Sequence, residues 1–302
     1  MYLCGGHQVL GNWACKDLWK LDLQTLELKQ LNSMREARNY VCLETLDQQL
    51  YAMGGNNQDS RLSSGELYNV EENQWYPAPS MKRTRSDAAV TVCMGKIYVL
   101  GGFDGFNPTN SVDVYNPLGN KWRSLNRPMN TRRSGVKAVS IGEKIYVVGG
   151  WDGKNRLKSG EVFDVHDKAW SKLPDMIVPR SNHCLEVLCG RLFAIGGYEG
   201  STTTAYVEAL DLETGVWSLV GTLPSSRSAL SSCVVPAAAV QDQLRNHLEC
   251  KEQYLDRRCT ALRLESIRAG RNQLIQHIQA NNPLMETGNK YTPFTRQIVT
   301  EF

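Results

Sequence analysis

Short apolar runs recur along the chain, and each ends at a pair of glycines. Leu50-Tyr51-Ala52-Met53, Ile97-Tyr98-Val99-Leu100, Ile145-Tyr146-Val147-Val148 and Leu192-Phe193-Ala194-Ile195 all carry a ring three residues before the first glycine, and Tyr2-Leu3-Cys4 keeps the same register. Four apolar residues closed by a turn signal predict a buried strand rather than a helix. The first glycines stand at 5, 54, 101, 149 and 196, spacings of 49, 47, 48 and 47 residues. So regular a period marks a repeat architecture.

Further markers sit at fixed offsets. Tyr68, Tyr115, Phe163 and Leu210 follow their first glycine by 14 residues, and Trp75, Trp122, Trp170 and Trp217 follow those by seven. Turn formers such as Asn116-Pro117-Leu118-Gly119-Asn120 lie between, so each repeat reads as strand-turn-strand. A Met or Leu comes next (Met34, Met81, Met129, Met176, Leu223), and four residues later an arginine: Arg38, Arg85, Arg133, Arg180 and Arg227. Four short strands per repeat bury their faces by radial stacking, the propeller solution to exposed sheet edges. The tryptophans supply area for packing one blade on the next.

Gly101-Gly102-Phe103-Asp104-Gly105, Gly149-Gly150-Trp151-Asp152-Gly153 and Gly196-Gly197-Tyr198-Glu199-Gly200, with the tyrosine and tryptophan at their offsets, resemble the signature of the kelch domain of the kelch-like family. The resemblance covers residues 1–235. It implies an all-β fold, a kelch β-propeller with about five blades in this chain where six are usual in the family. The first repeat departs from the rule: its loop is two residues longer, Leu21 takes the second marker position, and Leu28 stands where tryptophan is expected. That blade is expected to pack less tightly. Its first strand is missing, and Ser228-Ala229-Leu230-Ser231-Ser232-Cys233-Val234-Val235 is expected to supply it, closing the ring as in the family. The family's N-terminal BTB and BACK domains have no counterpart here, and a methionine inside a blade suggests a truncated isoform, a fragment or an incomplete gene model.

From residue 236 the composition changes. Val240, Leu244, Leu248, Leu255, Cys259 and Leu262 follow helical spacing, so residues 236–282 are expected to form an α-helical tail and residues 283–302 to be disordered. The tail is either a partner helix or one packed on its own propeller.

Composition narrows the function. With 41% hydrophobic and 22% charged residues and no apolar run of about 18, the chain reads as soluble, without a membrane partner. The net charge of +3 is dispersed, which argues against a nucleic-acid partner. Nine cysteines, most in apolar runs, suggest small buried groups in a reducing compartment, cytoplasmic or nuclear. The five histidines, His7, His166, His183, His247 and His277, form no close pair, and no metal, nucleophile-elbow or phosphate-loop motif occurs, so neither catalysis nor a cofactor is expected. A copper oxidase of galactose-oxidase type, also built on kelch repeats, is the enzymatic alternative.

The resemblance places binding at one rim of the channel. The residues after each glycine pair are His7, Asn56, Phe103, Trp151 and Tyr198, and those after the repeated arginines are Asn39, Ser86, Ser134, Ser181 and Ser228. Rings and hydroxyls together suit a surface that grips a peptide. The arginines could bind an acidic peptide, but their presence in every repeat favours tying the blades to Glu66, Asp113, Glu161 or Glu208. The expected function is substrate recognition resembling that of cullin-based ubiquitin-ligase adaptors, the ligase being contacted through regions absent here. An actin- or cytoskeleton-binding scaffold is the alternative.

Overall fold

The computed structural model describes residues 1–7 and 13–239. Residues 1–236 form one compact unit of five sheets, the blades of a propeller. Blade 1 holds β1 (Tyr2–Cys4), β2 (Leu18–Leu21) and β3 (Leu28–Leu31). Blade 2 holds β4 (Cys42–Leu46), β5 (Gln49–Met53), β6 (Gly65–Asn69) and β7 (Gln74–Ala78). Blade 3 holds β8 (Ala89–Cys93), β9 (Lys96–Leu100), β10 (Val112–Asn116) and β11 (Lys121–Ser124). Blade 4 holds β12 (Lys137–Ile141), β13 (Lys144–Val148), β14 (Gly160–Asp164) and β15 (Ala169–Leu173), and blade 5 β16 (Cys184–Leu188), β17 (Arg191–Ile195), β18 (Tyr206–Asp211) and β19 (Val216–Thr222). Every blade is an antiparallel meander. A second unit begins at Ala237, of which Ala237–Ala239, a single 3-10 turn, is described. The expected tail helix and disordered end otherwise fall outside the described residues.

The core is a row of inter-blade clusters. Leu18, Met34, Leu50, Tyr68 and Trp75 join blades 1 and 2; Met53, Met81, Ile97 and Trp122 join 2 and 3; Leu100, Met129, Ile145 and Phe163 join 3 and 4; Val148, Met176, Leu192 and Trp217 join 4 and 5. Each tryptophan also donates its indole N–H to a backbone carbonyl of the preceding blade: Trp75 to Asn32, Trp122 to Pro79, Trp170 to Arg127 and Trp217 to Pro174, at 2.8–2.9 Å. Burying such a ring contributes about 1.5–3 kcal/mol, and the N–H fixes its orientation.

The double glycines answer a steric demand. Both members have positive φ, and a Cβ on Gly54 would meet the Arg85 carbonyl at 2.5 Å. No side chain fits there. That carbonyl accepts the Gly55 N–H, so the arginine's backbone belongs to the blade behind it. Its side chain belongs to the blade ahead. Arg85 donates to the Gly101 and Ser111 carbonyls and pairs with Asp113 at 2.9 Å. Arg38 with Glu66, Arg133 with Glu161 and Arg180 with Glu208 repeat the arrangement. Burial pulls the guanidinium pKa values of Arg85, Arg133 and Arg180 down, and the carboxylate partners oppose it. The structural reading of these arginines is the one the contacts support.

Across the seam between blades 5 and 1 the described residues make no such arginine–carboxylate tie, although the Arg227 carbonyl still accepts the Gly197 N–H. Cys4 pairs with Leu18 and Leu3 with Trp19, so Trp19 occupies the place of Glu66, while Leu21 opposite Leu28 reproduces Tyr68 opposite Trp75. Blade 1 therefore offers no carboxylate at the Glu66 position and no indole at the Trp75 position. Arg227 is exposed, its guanidinium bonded only to Ser225 among the described residues. Leu28 is 51% and Leu3 43% exposed. The expected weakness of the first blade is visible in these contacts.

The expected closing strand is a correction. Residues 228–235 form no strand, and blade 1 remains three-stranded. Repeat register would set Ser231 opposite Cys4 and Cys233 opposite Tyr2. Instead the Ser232 hydroxyl donates to Glu186 of blade 5 at 2.6 Å, and the Cys233 thiol lies 3.2 Å from Met1 Sδ. The segment lies alongside β1 without pairing. The cause is the missing seam contacts, together with polar Ser231-Ser232 where blade 2 has Cys42-Leu43 and blade 5 Cys184-Leu185.

An inner ring shows the same break. Tyr40, Asp87, Gly135, Asn182 and Ala229, two residues after each arginine, all have φ between 49° and 62°. Asp87 N–H donates to the Tyr40 carbonyl, Gly135 to Asp87, Asn182 to Gly135 and Ala229 to Asn182, at 2.7–3.2 Å. No bond from Tyr40 N–H back to Ala229 is made among the described residues.

Candidate protein-binding rim

The end of the propeller where the glycine pairs leave the sheets carries the candidate site. There the chain makes isolated bridges that join the two sets of rim residues: Asn39 with Asn56, Ser86 with Phe103, Ser134 with Trp151, Ser181 with Tyr198. Each bridge is reciprocal, N–H to carbonyl in both directions, at 2.8–3.0 Å. The backbone thus fixes which side chains face outward. Asn39, Ser86, Ser134 and Ser181 are buried, and the Ser86 hydroxyl donates to Asp87 at 2.6 Å. Phe103, Trp151 and Tyr198 stay half-exposed, as do Asn56 and Ser228, while His7 is exposed. Burial holds the Asp87 carboxyl above its usual range, the Ser86 hydroxyl and Arg61 opposing it.

A third strand of the rim comes from residues seven beyond each first glycine. Asn56 bridges Arg61, Phe103 bridges Pro108, Trp151 bridges Arg156 and Tyr198 bridges Thr203. Sequence reasoning passed over this set, because its chemistry varies from blade to blade. The constant offset was the signal that would have found it.

Arg61 and Arg156 turn the rim into a continuous strip. The Arg61 guanidinium lies over the Phe103 ring at 5.5 Å, the Phe103 and Trp151 centroids are 6.4 Å apart, and Arg156 lies over Trp151 at 5.3 Å and over Tyr198 at 5.2 Å. The order is Arg61, Phe103, Trp151, Arg156, Tyr198. Each cation–ring contact is worth about 0.5–1 kcal/mol at a partly exposed site and favours keeping the guanidinium over its ring. Neither arginine has an ion-pair partner among the described residues, and the Nε of each is buried without a hydrogen bond. Two rim carboxylates, Asp104 and Asp152, are committed to their own loops. Asp104 accepts the N–H groups of Asn107 and Phe106, which hold its pKa down. Asp152 accepts those of Asn155 and Lys154, which outweigh the upward pull of burial. At the tip of the Asp104 loop, Phe106 is 89% exposed.

The rim is therefore two-sided. Blades 3 to 5, together with Arg61 of blade 2, present rings and unpaired guanidinium groups, whereas the rest of blades 1 and 2 presents His7, Asn39 and Asn56, with Asn39 Nδ2 3.1 Å from His7 Nδ1. Asn39 Oδ1 and Ser181 Oγ are buried without hydrogen-bond partners beneath this surface. Among the described residues no group of three or more His, Cys, Asp or Glu is placed to hold a metal ion. No helix among them is long and apolar enough to cross a membrane.

Comparison with known proteins agrees with this geometry. Residues 1–176 match the family described as the KLHDC2/KLHL20/DRC7 Kelch-repeats domain, and residues 179–224 match the Kelch motif. Among curated relatives, Kelch-like protein 36 of Mus musculus is 27% identical over 80% of this chain and 41% of its own length. Spermatocyte protein spe-26 of Caenorhabditis elegans is 31% identical over 78% of this chain and 42% of its own. Kelch repeat-containing protein kel-10 of the same organism is 34% identical over 40% of this chain and 22% of its own. The chain thus spans at most about two fifths of these relatives. With glycine pairs, arginine–carboxylate ties and inter-blade tryptophans in four of its blades and a family match across more than half its length, the chain belongs to the kelch-like family of kelch-repeat β-propellers.

Proposed function

We propose that this propeller binds a protein partner through the rim of blades 2 to 5, as the substrate-recognition part of a kelch-like adaptor for a cullin-based ubiquitin ligase. The observation that carries the reading is the strip of Arg61, Phe103, Trp151, Arg156 and Tyr198. Half-exposed rings supply apolar area at low entropic cost, and two guanidinium groups without partners supply directed hydrogen bonds. An extended segment with an apolar residue flanked by carboxylates matches this alternation, since each guanidinium can take a carboxylate through two parallel N–H donors. The buried serines shape the backbone beneath the rings. The link to a ligase would run through regions outside this sequence.

The test is capture of partners by the full chain, tagged, from cells, comparing wild type with Phe103→Ala, Trp151→Ala and Arg156→Ala. Truncating an anchor costs about 2 kcal/mol or more, roughly a thirtyfold loss of affinity. One set of partners is expected to disappear in all three variants, while a control at exposed Leu118, on the opposite end, retains it. An unchanged set in the rim variants rejects the rim. Loss of F-actin in the same three variants would support the cytoskeletal reading over the adaptor.

A further inference from the structure

Blade 3 carries a second feature, at the end away from the rim, that the other blades lack. Lys96, Asn116, Lys121 and Arg123 line a cleft of about 260 Å³. Their convergence follows from the sheet register. Asn116 pairs with Lys121, Val114 pairs with both Tyr98 and Arg123, and Lys96 continues the β9–β10 ladder one step beyond Ile97–Tyr115. Directly paired residues, and residues two apart on one strand, share a face, so these four project together.

Three observations set the cleft apart. No carboxylate pairs with Lys96, Lys121 or Arg123 among the described residues. Neighbouring like charges on one sheet face destabilise it, a cost the fold otherwise bears where Lys20 pairs with Lys29 in blade 1. In blade 4 the matching row is Lys144, Asp164 and Ala169; in blade 5 it is Arg191, Asp211 and Val216; in blade 2 it is Gln49, Asn69 and Gln74. The acid balances the cation in the first two, and the third is neutral. Finally, Asn69, Asp164 and Asp211 spend a side-chain oxygen capping their own turns. Asn116 does not: the turn it opens, Pro117–Gly119, has no side-chain cap. Its amide is left for the cleft.

We propose that this cleft is a binding site for a phosphate group. Arg123 presents a planar fork that matches two phosphate oxygens, the two lysines act as flanking point charges, and the Asn116 amide donates a further hydrogen bond. A free polyphosphate and a phosphorylated side chain share this chemistry.

The experiment titrates the full chain with inorganic pyrophosphate and, separately, with O-phosphoserine at low salt, by calorimetry. It compares wild type with the double variant Lys121→Gln/Arg123→Ser. A control, Lys20→Gln/Lys29→Gln, removes the same charge from a paired position in blade 1. Saturable binding of pyrophosphate is expected, weakened about tenfold or more in the cleft variant and unchanged in the control. Comparable binding of O-phosphoserine assigns the site to a phosphorylated side chain, and binding of pyrophosphate alone assigns it to a free polyphosphate. Absence of saturable binding of either probe, or equal loss in both variants, overturns the site. Melting temperature serves as the check on folding: relief of like-charge crowding should leave the cleft variant no less stable than wild type.

Discussion

Replacing Glu161 with alanine tests how the blades are joined. Its carboxylate accepts Arg133 Nε and Nη2 at 3.2 and 3.1 Å, the backbone N–H groups of Asn130 and Thr131 at 2.7 and 3.1 Å, and Asn130 Nδ2 at 2.9 Å. The Arg133 side chain is 0% exposed and that of Glu161 5%. Removing one partner of such a pair leaves a buried, uncompensated charge, at about 3–5 kcal/mol. The orphaned backbone donors add to this, although water entering the space left by the side chain offsets part of it. With a urea slope of about 2.5 kcal/mol/M, a loss of about 4 kcal/mol lowers the midpoint by about 1.5 M, read by tryptophan fluorescence. Arg133→Met/Glu161→Leu should recover much of the loss, since an apolar pair leaves no buried charge. Arg227→Ala, the same repeat position at the open seam, should cost about 0.5 kcal/mol or less. A loss below about 1 kcal/mol for Glu161→Ala, or equal costs at Glu161 and Arg227, would refute the account.

His183 yields a prediction about pH. It is fully buried at a position where other blades have Val41, Ala88 and Val136, neither ring nitrogen has a partner, and burial, with Arg180 and Lys137, holds its pKa well below the usual value. The unfolded chain takes up this proton near pH 6.5 and the folded one does not, so stability falls below that pH by about 1.4 kcal/mol per unit until the folded pKa is reached. His183→Val should raise stability by about 1–3 kcal/mol at pH 7 and flatten this acid slope; urea titrations at pH 7 and 5 would expose an error if the gain were no larger at pH 5. Amide exchange offers an independent view of the seam. β1 to β3 should exchange fastest among the strands, lacking indole and carboxylate contacts on one side, and protection in blade 1 equal to that in blades 3 and 4 would contradict the open seam.

Most of the fold was legible because its constraints are local and repeated. A glycine pair with positive φ, a ring three residues earlier and a tryptophan at a fixed offset each admit few residue types, so they survive as a visible period. The same logic exposed blade 1, where Leu28 breaks the rule. The closing strand was less legible. Residues 228–235 carry the right offset from Arg227, but pairing depends on what blade 1 presents, and Trp19 in the place of Glu66 emerges only once β1 and β2 are in register. At the rim, sequence located Phe103, Trp151 and Tyr198. It could not reveal that the bridges bury Ser86 and Ser181, or that Arg61 crosses to the ring of the next blade, because both follow from backbone pairing between distant turns.

The central claim is that partners are held at the aromatic–arginine strip, and site-specific photocrosslinking addresses it most directly. A photoreactive phenylalanine at position 103 lies within the strip, whereas one at position 118, which is 98% exposed, reports from the far end of blade 3. Crosslinks to captured partners from position 103, abolished by Arg61→Glu/Arg156→Glu and absent from position 118, are the result the account predicts. Crosslinks from position 118 with none from 103 would contradict it.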